Sequence, residues 1–348
     1  MTEQQANNLL DPNLHRDSCG FGLIANLDDL PSHGVVATAI EALARLTHRG
    51  AVAADGKTGD GCGLLIKFPE TFLRAVGKDL GFTLAKRFAA GTVFLSRDQA
   101  RGDAGRAMIT QAIGELGLEV AGWREVPVDA SACGEQALAT LPKIEQVFVN
   151  SPDYMPRGSF NRKLFLARRR AEKRISDDET YVASLSSGTI SYKGMIMPTA
   201  LPVFYPDLRD PRMESSVCVF HQRFSTNTLP QWKLAQPFRF LAHNGEINTV
   251  QGNRNWAVAR SKNFVSEKLD DISDLDPIVS MSGSDSSSLD NMLEVLRAGG
   301  MDVLQAMRIL IPPAWQPVGD IDPDVRAFYE FWDGQQEPWD GPAGIVLT

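Results

Sequence analysis

Short apolar segments of strand length alternate in this 348-residue chain with longer segments of helical period. This pattern predicts one domain in which strands and helices are mixed around a common core. From residue 215 onward, short apolar strands alternate with polar, glycine-containing turns, where functional groups usually lie. The predicted strands are 19–27, 62–68, 91–95, 145–150 and 180–186, and the predicted helices are 35–50, 100–117, 159–176, 286–311 and 323–332.

The charge balance excludes several classes of partner. The chain has 35 basic and 43 acidic residues, a formal net charge of −8. A general nucleic-acid binder, or a protein that binds anionic membranes, would instead carry a basic face. No apolar run approaches the roughly 20 residues of a membrane span, and the polar N-terminus lacks the pattern of a secretory signal. A cytoplasmic location is therefore predicted, with neither nucleic acid nor membrane as a partner.

The cysteines and histidines do not form a metal-binding pattern. No two cysteines make a Cys-x-x-Cys pair, so neither a zinc site nor an iron–sulfur cluster is predicted. A small buried hydrophobe is the commonest role of a scattered cysteine. His48, His221 and His243 lack His-x-x-x-His spacing and end apolar segments, which favours structural hydrogen bonds. The four cysteines are Cys19, Cys62, Cys133 and Cys218.

Two patterns resemble anion sites, but other interpretations are favoured. Residues 56–58 (GKT) would suit a phosphate-binding loop, yet position 51 is alanine where that motif needs glycine. The stretch is better interpreted as a glycine-rich turn that enters a strand. The basic run 168–170 (RRR) lies in a predicted helix and is interpreted as a solvated helix face rather than a patch for phosphate or an acidic partner.

The setting of Cys19 favours a nucleophile. Residues 1–18 are polar, show no apolar period and are predicted to be a leader, after which a strand begins at Cys19. A nucleophilic thiol needs a base, and a histidine would serve. If the Ser18–Cys19 bond is cut, the free α-amino group of Cys19, which titrates near pH 8, becomes a second candidate.

Five long segments, in this order, resemble the class II glutamine amidotransferase domain of bacterial glutamate synthase large subunits. They are RDSCGFGLIANL, HRGAVAADGKTGDGCGLL, FHQRFSTNTLPQWKLAQPFRF, LAHNGEINT and GSDSSSLDNMLE. The similarity runs from about residue 16 to residue 348. It implies an α+β fold of the N-terminal-nucleophile hydrolase type, an α/β/β/α sandwich of two antiparallel sheets between helices.

The resemblance also implies roles for individual residues. Cys19 would be the nucleophile, and Asn244 and Gly245 would form the oxyanion hole through a side-chain amide and a backbone N–H. Arg223 would hold the α-carboxylate of glutamine, for which a planar bidentate donor is suited. Asp285 would pair with the α-ammonium. Taken singly, Arg223 is also compatible with a surface ion pair and Asp285 with a helix cap.

Two more residues match the family with less specific roles. Thr226 lies in a loop that would close over glutamine, and Arg49 would support the site. The implied domain covers residues 19–348 after removal of the leader 1–18, and in the family it continues further, so we expect it to be incomplete at its C-terminal end.

The resemblance implies hydrolysis of L-glutamine through a γ-glutamyl thioester. The ammonia would pass to the remaining domains of the large subunit, which convert 2-oxoglutarate to glutamate. FMN and an iron–sulfur cluster would belong to those domains, with electrons from a small NADPH-oxidising subunit or from ferredoxin, and no cofactor is expected in this chain. Two alternatives stay open, namely a non-catalytic module that binds glutamine or docks a subunit, and a different N-terminal-nucleophile amidase.

Overall fold

The computed structural model describes residues 20–224, 228–269 and 272–348. None of the helices in these ranges is long and apolar enough to cross a membrane. The strands are β1 (Phe21–Ala25), β2 (Cys62–Lys67), β3 (Phe88–Leu95), β4 (Glu119–Glu125), β5 (Lys143–Asn150), β6 (Tyr181–Val182), β7 (Thr189–Gly194), β8 (Val217–Gln222), β9 (Leu241–Gly245) and β10 (Ala343–Leu347). The α-helices are α1 (His33–Arg45), α2 (Glu70–Asp79), α3 (Gln99–Glu115), α4 (Glu135–Ala139), α5 (Arg157–Arg174), α6 (Leu201–Phe204), α7 (Val250–Arg260), α8 (Asp285–Ala298), α9 (Val303–Leu310) and α10 (Pro323–Asp333).

The strands form three sheets, and every strand pair is antiparallel. The first sheet has the order β1-β8-β2-β7, the second joins β10 to β9, and the third has the order β4-β5-β3-β6. Helices and antiparallel sheets in one chain make the fold α+β, as expected from the sequence.

Alternate side chains of the first sheet face two different cores. Leu64 and Ile66 of β2 pack in the main core, which also contains Phe94 of β3 in the third sheet. Leu65, between them in sequence, points to the opposite face and packs with Ala242 of β9. Because side chains alternate along a strand, β2 is apolar on both faces. The first sheet therefore lies between the third sheet and the β9–β10 pair.

Helices cover the outer layers. Apolar residues of α3 and α5 pack against the third sheet, and α7, α8 and α9 share a core with β9. The expected sandwich of antiparallel sheets between helices is confirmed, with the described strands divided among three sheets rather than two.

Most predicted elements are present, with shifted ends. The predicted helix 286–311 is two helices, α8 and α9, because Gly300 adopts a positive φ of 99° between them. Asp302 then caps α9 by accepting hydrogen bonds from the backbone of Leu304 and Gln305. The predicted strand 180–186 is shorter, since β6 covers two residues and Ser186 adds only an isolated bridge to Ala90.

The GKT stretch is a turn, as predicted. The Asp55 carboxylate accepts hydrogen bonds from the backbone N–H groups of Lys57 and Thr58 at 2.9 and 2.7 Å. Gly56 has a positive φ of 69°. These local bonds hold the loop closed ahead of β2 without any need for a phosphate.

The prediction that 168–170 is a solvated helix face is wrong. Arg168 of α5 is 2% exposed and faces α8. Its guanidinium donates to Glu294 at 2.8 Å and to Glu172 at 2.7 Å. Arg239 contacts the same two glutamates at 3.1 and 3.5 Å. A buried charge persists only when it is paired. The prediction failed because the sequence pattern could not show a partner that is 126 positions away.

We predict that Arg168→Met lowers the free energy of unfolding by about 3–5 kcal/mol, because it leaves the buried Glu294 without its closest partner. Arg174→Met is the matched control on the same helix, since Arg174 pairs with Glu115 at the surface. Urea unfolding followed by circular dichroism should show a large loss for the first variant and almost none for the second. Equal losses would contradict the assignment of the buried pair.

Candidate active site

A cavity of about 400 Å³ lies where the ends of β8 and β9 meet the start of α8. Four of the residues predicted from the sequence line it. Arg223 directly follows β8, Asn244 and Gly245 end β9, and Asp285 begins α8. Residues that are 62 positions apart in the chain are thus brought to one cavity. Two further predicted residues, Cys19 and Thr226, lie outside the described residues.

Gly20, the residue after Cys19, is held beside this cavity from two sides. Its N–H donates to Oδ1 of Asn244 at 3.2 Å, and its carbonyl accepts from the backbone N–H of Gln222. Because the carbonyl end of the Asn244 amide is engaged by Gly20, the NH₂ end, which carries two donors, faces the other way.

Gly245 cannot be replaced by a larger residue without moving the backbone. Its φ is +120°, and a Cβ atom at this position would lie 1.7 Å from the carbonyl oxygen of Pro342. Gly245 pairs with Ala343 in the β9–β10 ladder. The close approach of the chain at the start of β10 therefore holds the backbone of Gly245, whose N–H the family resemblance assigns to the oxyanion hole.

Arg223 is buried rather than part of a surface ion pair. It is 5% exposed, and its guanidinium donates to the carbonyl of Asp60 at 3.4 Å and to the hydroxyl of Thr228. Among the described residues, no carboxylate lies within salt-bridge distance of it. Burial lowers the pKa of Arg223, and the charges of Asp60 and Asp285 oppose this shift. A buried guanidinium with no ion-pair partner in this part of the chain suits an anionic ligand.

Asp285 does not cap the helix that it begins. The cap of α8 is Ser284, whose hydroxyl accepts from the N–H of Ser287. The Asp285 carboxylate instead accepts from the backbone N–H of Ile247 at 2.9 Å, just beyond β9. Its other oxygen accepts from the N–H of Ser286 at 2.7 Å. The carboxylate is therefore oriented at the cavity wall by two backbone donors.

The histidines have the structural hydrogen bonds that were expected. Burial lowers the pKa of His221 to about 3, and its Nε2 bonds to the carbonyl of His243 at 3.1 Å. Burial also lowers the pKa of His243, whose Nδ1 lies 2.7 Å from the hydroxyl of Ser286. His48 contacts the carbonyl of Arg45 at 3.1 Å. Both buried histidines are therefore neutral at physiological pH.

Asp290 is a residue of this region that the sequence analysis missed. It is fully buried, and its carboxylate accepts hydrogen bonds from three consecutive backbone N–H groups that lead into β9, those of residues 239–241, at 2.9–3.2 Å. Burial, together with the charge of Glu294, raises the pKa of Asp290 to about 6. The sequence did contain a signal for this burial, because Asp290 follows Leu289 on the apolar face of a predicted helix.

Gln236 and Ser286 were also missed. Gln236 accepts from the N–H of His243 at 2.8 Å and donates to its carbonyl at 3.1 Å. Ser286 is 3% exposed and contacts His243 and Asp285. Polar residues in such turns are common, so nothing local in the sequence distinguished these two.

The three described cysteines are buried and free. Burial raises the pKa of Cys133 to about 11 and that of Cys218 to about 12, and it raises the pKa of Cys62 further. A thiol with a raised pKa is a poor nucleophile. Within the described ranges, no group of three or more His, Cys, Asp or Glu side chains is arranged to hold a metal ion.

Residues 19–348 match the family of class II glutamine amidotransferases. The chain belongs to this family. It is 40% identical over 347 residues to the large chain of NADPH glutamate synthase from Azospirillum brasilense, covering 98% of this chain and 23% of that one. The corresponding protein of Bacillus subtilis is 40% identical over 348 residues, covering 99% of this chain and 23% of its own length.

A third relative is ferredoxin-dependent glutamate synthase 2 of Synechocystis, which is 41% identical over 339 residues, covering 96% of this chain and 22% of that protein. The chain thus spans less than a quarter of the length of these relatives. The expectations of a glutamine amidotransferase domain and of an N-terminal-nucleophile fold are confirmed.

We predict that Gly245→Ala lowers the free energy of unfolding by about 1–3 kcal/mol, because the new methyl group meets the Pro342 carbonyl in a backbone conformation that alanine disfavours. Gly114→Ala is the matched control, since its Cβ would meet nothing within 4 Å in α3. That change should raise stability by up to about 1 kcal/mol. Thermal unfolding measures both, and an unchanged melting temperature for Gly245→Ala would contradict the steric argument.

Proposed function

We propose that this chain hydrolyses L-glutamine to glutamate and ammonia through a γ-glutamyl thioester on Cys19. One observation carries the proposal more than any other. Gly20, the residue bonded to Cys19, donates its N–H to Asn244 at the edge of the cavity that Arg223 and Asp285 also line. The candidate nucleophile Cys19 is therefore the immediate neighbour in sequence of a residue that contacts Asn244, the candidate oxyanion donor.

The charges of the cavity support an amino acid as the substrate. Arg223 offers a planar cationic donor for an α-carboxylate. Asp285 offers an oriented carboxylate for an α-ammonium. A ligand with both charges on one carbon would satisfy both groups, and its side chain would then extend toward Asn244 and Gly245. Glutamine has an amide at the end of such a side chain.

The proposed chemistry follows from these positions. The Cys19 thiol gives its proton to its own α-amine and attacks the amide carbon of glutamine. The Asn244 amide and the Gly245 N–H donate hydrogen bonds to the oxygen that becomes negative; removing one such donor typically costs about 10²–10³ in rate. The α-ammonium of Cys19 returns the proton to the departing ammonia, and water then hydrolyses the thioester.

This mechanism requires that the leader 1–18 be removed. While the Ser18–Cys19 bond is intact, the nitrogen of Cys19 is an amide and cannot act as a base. The family match that begins at Cys19 supports cleavage at this bond. We therefore propose residues 1–18 as a leader and residues 19–348 as amidotransferase domain, with Thr226 in a loop over the substrate and Arg49 in support.

We further propose that the ammonia is used as in glutamate synthase, for conversion of 2-oxoglutarate to glutamate. The names of the three relatives support this use. The partners would be the other domains of a large subunit, in which FMN and an iron–sulfur cluster would lie. A small NADPH-oxidising subunit or ferredoxin would supply electrons in the cytoplasm. The relatives include both NADPH glutamate synthases and a ferredoxin-dependent one.

The direct test uses the chain expressed so that Cys19 is its first residue. Incubation with glutamine should release glutamate and ammonia in equal amounts, as measured by a coupled assay. Cys19→Ala and the chain with its leader attached should release neither, because the first lacks the thiol and the second lacks the base. A folded, cleaved chain with no release above the Cys19→Ala background would contradict the proposal. Glutamine binding in that sample would then support the non-catalytic alternative.

A second prediction concerns Arg223. Arg223→Lys should raise KM for glutamine at least about tenfold and leave kcat within a few fold, because a bidentate contact to the α-carboxylate is made equally in the ground and transition states. Arg212→Lys, at the surface beside Asp210, is the control and should change neither constant. Unchanged KM in Arg223→Lys would favour a different amidase that does not recognise a free amino acid.

A further inference from the structure

Asp285 lies on α8 and the candidate oxyanion residues lie on β9, yet a buried polar layer joins these two elements. The layer consists of Gln236, His243 and Ser286, each at most 6% exposed. The Ser286 hydroxyl lies 2.7 Å from Nδ1 of His243, 3.2 Å from Oδ1 of Asp285 and 3.4 Å from Nε2 of Gln236. A single hydroxyl group therefore contacts all three of these side chains.

The hydrogen of this hydroxyl can be assigned by counting donors and acceptors. Ser286 has one hydrogen to donate, and Gln236 Nε2 can only donate to it. If the hydroxyl donated to His243, its oxygen would face the Asp285 carboxylate oxygen with no hydrogen between them. If it donates to Asp285, then His243 donates from Nδ1, and every contact of the hydroxyl is satisfied. We assign this arrangement, with His243 neutral and protonated at Nδ1.

The same layer holds the oxyanion residues. Gln236 bonds to both the N–H and the carbonyl of His243, at 2.8 and 3.1 Å. His243 directly precedes Asn244, so its backbone sets the position of the Asn244 side chain and of the Gly245 N–H. The layer therefore fixes the position of Asp285 relative to the oxyanion hole.

We propose that Ser286 is a positioning residue that aims the Asp285 carboxylate at the α-ammonium of the substrate and so makes the enzyme selective for amides that carry this group. This inference rests on the proposed function, in which Asp285 binds the α-ammonium. In this role Ser286 acts on the substrate through Asp285, to which its hydroxyl donates. Its loss should weaken recognition of the amino group and spare the chemistry at the other end of the substrate.

The test compares two substrates, glutamine and 4-carbamoylbutanoate, which is glutamine without its α-amino group. In Ser286→Ala, kcat/KM for glutamine should fall by about 10–100-fold, mostly through KM, because a hydrogen bond to a charged group is lost. For 4-carbamoylbutanoate, kcat/KM should change by no more than about twofold, since this substrate has no ammonium group for Asp285 to bind. Ser286→Cys, which retains a weak donor, should recover part of the loss.

Ser287→Ala is the matched control. Ser287 is also buried in the first turn of α8, but its hydroxyl donates to the carbonyl of Ser284 at 2.7 Å. This variant should leave the ratio of the two kcat/KM values unchanged. In an Asp285→Asn background, Ser286→Ala should have no further effect on KM for glutamine, because the carboxylate that it aims is already gone.

Equal losses for both substrates in Ser286→Ala, or an unchanged KM for glutamine, would overturn the inference and leave the proposed function standing. If the wild-type chain with Cys19 first releases no glutamate, the proposed function fails separately. Calorimetry of glutamine binding to the Cys19→Ala chain then decides the inference alone. A loss of affinity of tenfold or more on adding Ser286→Ala supports it, and equal affinity, or no binding to either protein, overturns it.

Discussion

Strand β9 of the candidate active site depends on one buried carboxylate, that of Asp290. Three consecutive backbone N–H groups converge on it where the chain enters β9. Without this acceptor, the buried N–H groups of Arg239 and Leu241 would lose this partner, at a cost of about 1–3 kcal/mol each. Asp290 lies on α8, five residues after Asp285, so the helix that carries the candidate ammonium acceptor also holds the strand that carries the candidate oxyanion donors.

This arrangement explains how a cavity built from distant segments keeps its shape. Helix α8 contacts β9 at both ends, through Asp290 at the start of the strand and through Asp285 just beyond its end. On the other side, the first sheet packs on β9 through Leu65 and Val219. Gly20 reaches the cavity from that sheet, since β1 begins at the next residue. Gly20, the candidate oxyanion residues and the charged side chains of the cavity are thus positioned around one short strand, which α8 contacts on one side and the first sheet on the other.

Much of the candidate site could be predicted from the sequence, because its residues lie in long and distinctive motifs. Arg223, Asn244, Gly245 and Asp285 were identified in this way, and the structure places them around one cavity. Of the polar layer that joins them, only the structural role of His243 was predicted. Gln236 and Ser286 were not, because their hydrogen bonds join segments whose spacing carries no local signal. The interpretation of Arg168 as a surface residue was wrong for the same reason, because its partner Glu294 lies in a helix distant in sequence. The apolar period predicted the long helices α1, α3 and α5, but it missed α2 and α7 and did not show that Gly300 divides the predicted helix 286–311.

The central claim is that Cys19 becomes a nucleophile only as the first residue, with its own amine as the base. The most direct measurement is intact-mass and peptide mass spectrometry after treatment with the glutamine-mimicking electrophile diazo-oxo-norleucine, at several pH values. We predict one adduct, on the N-terminal peptide that begins at Cys19, with a rate that rises as the amine deprotonates near pH 8, and none on the chain that retains residues 1–18. Equal labelling of Cys19 with the leader attached, or labelling of a different residue, would contradict the account.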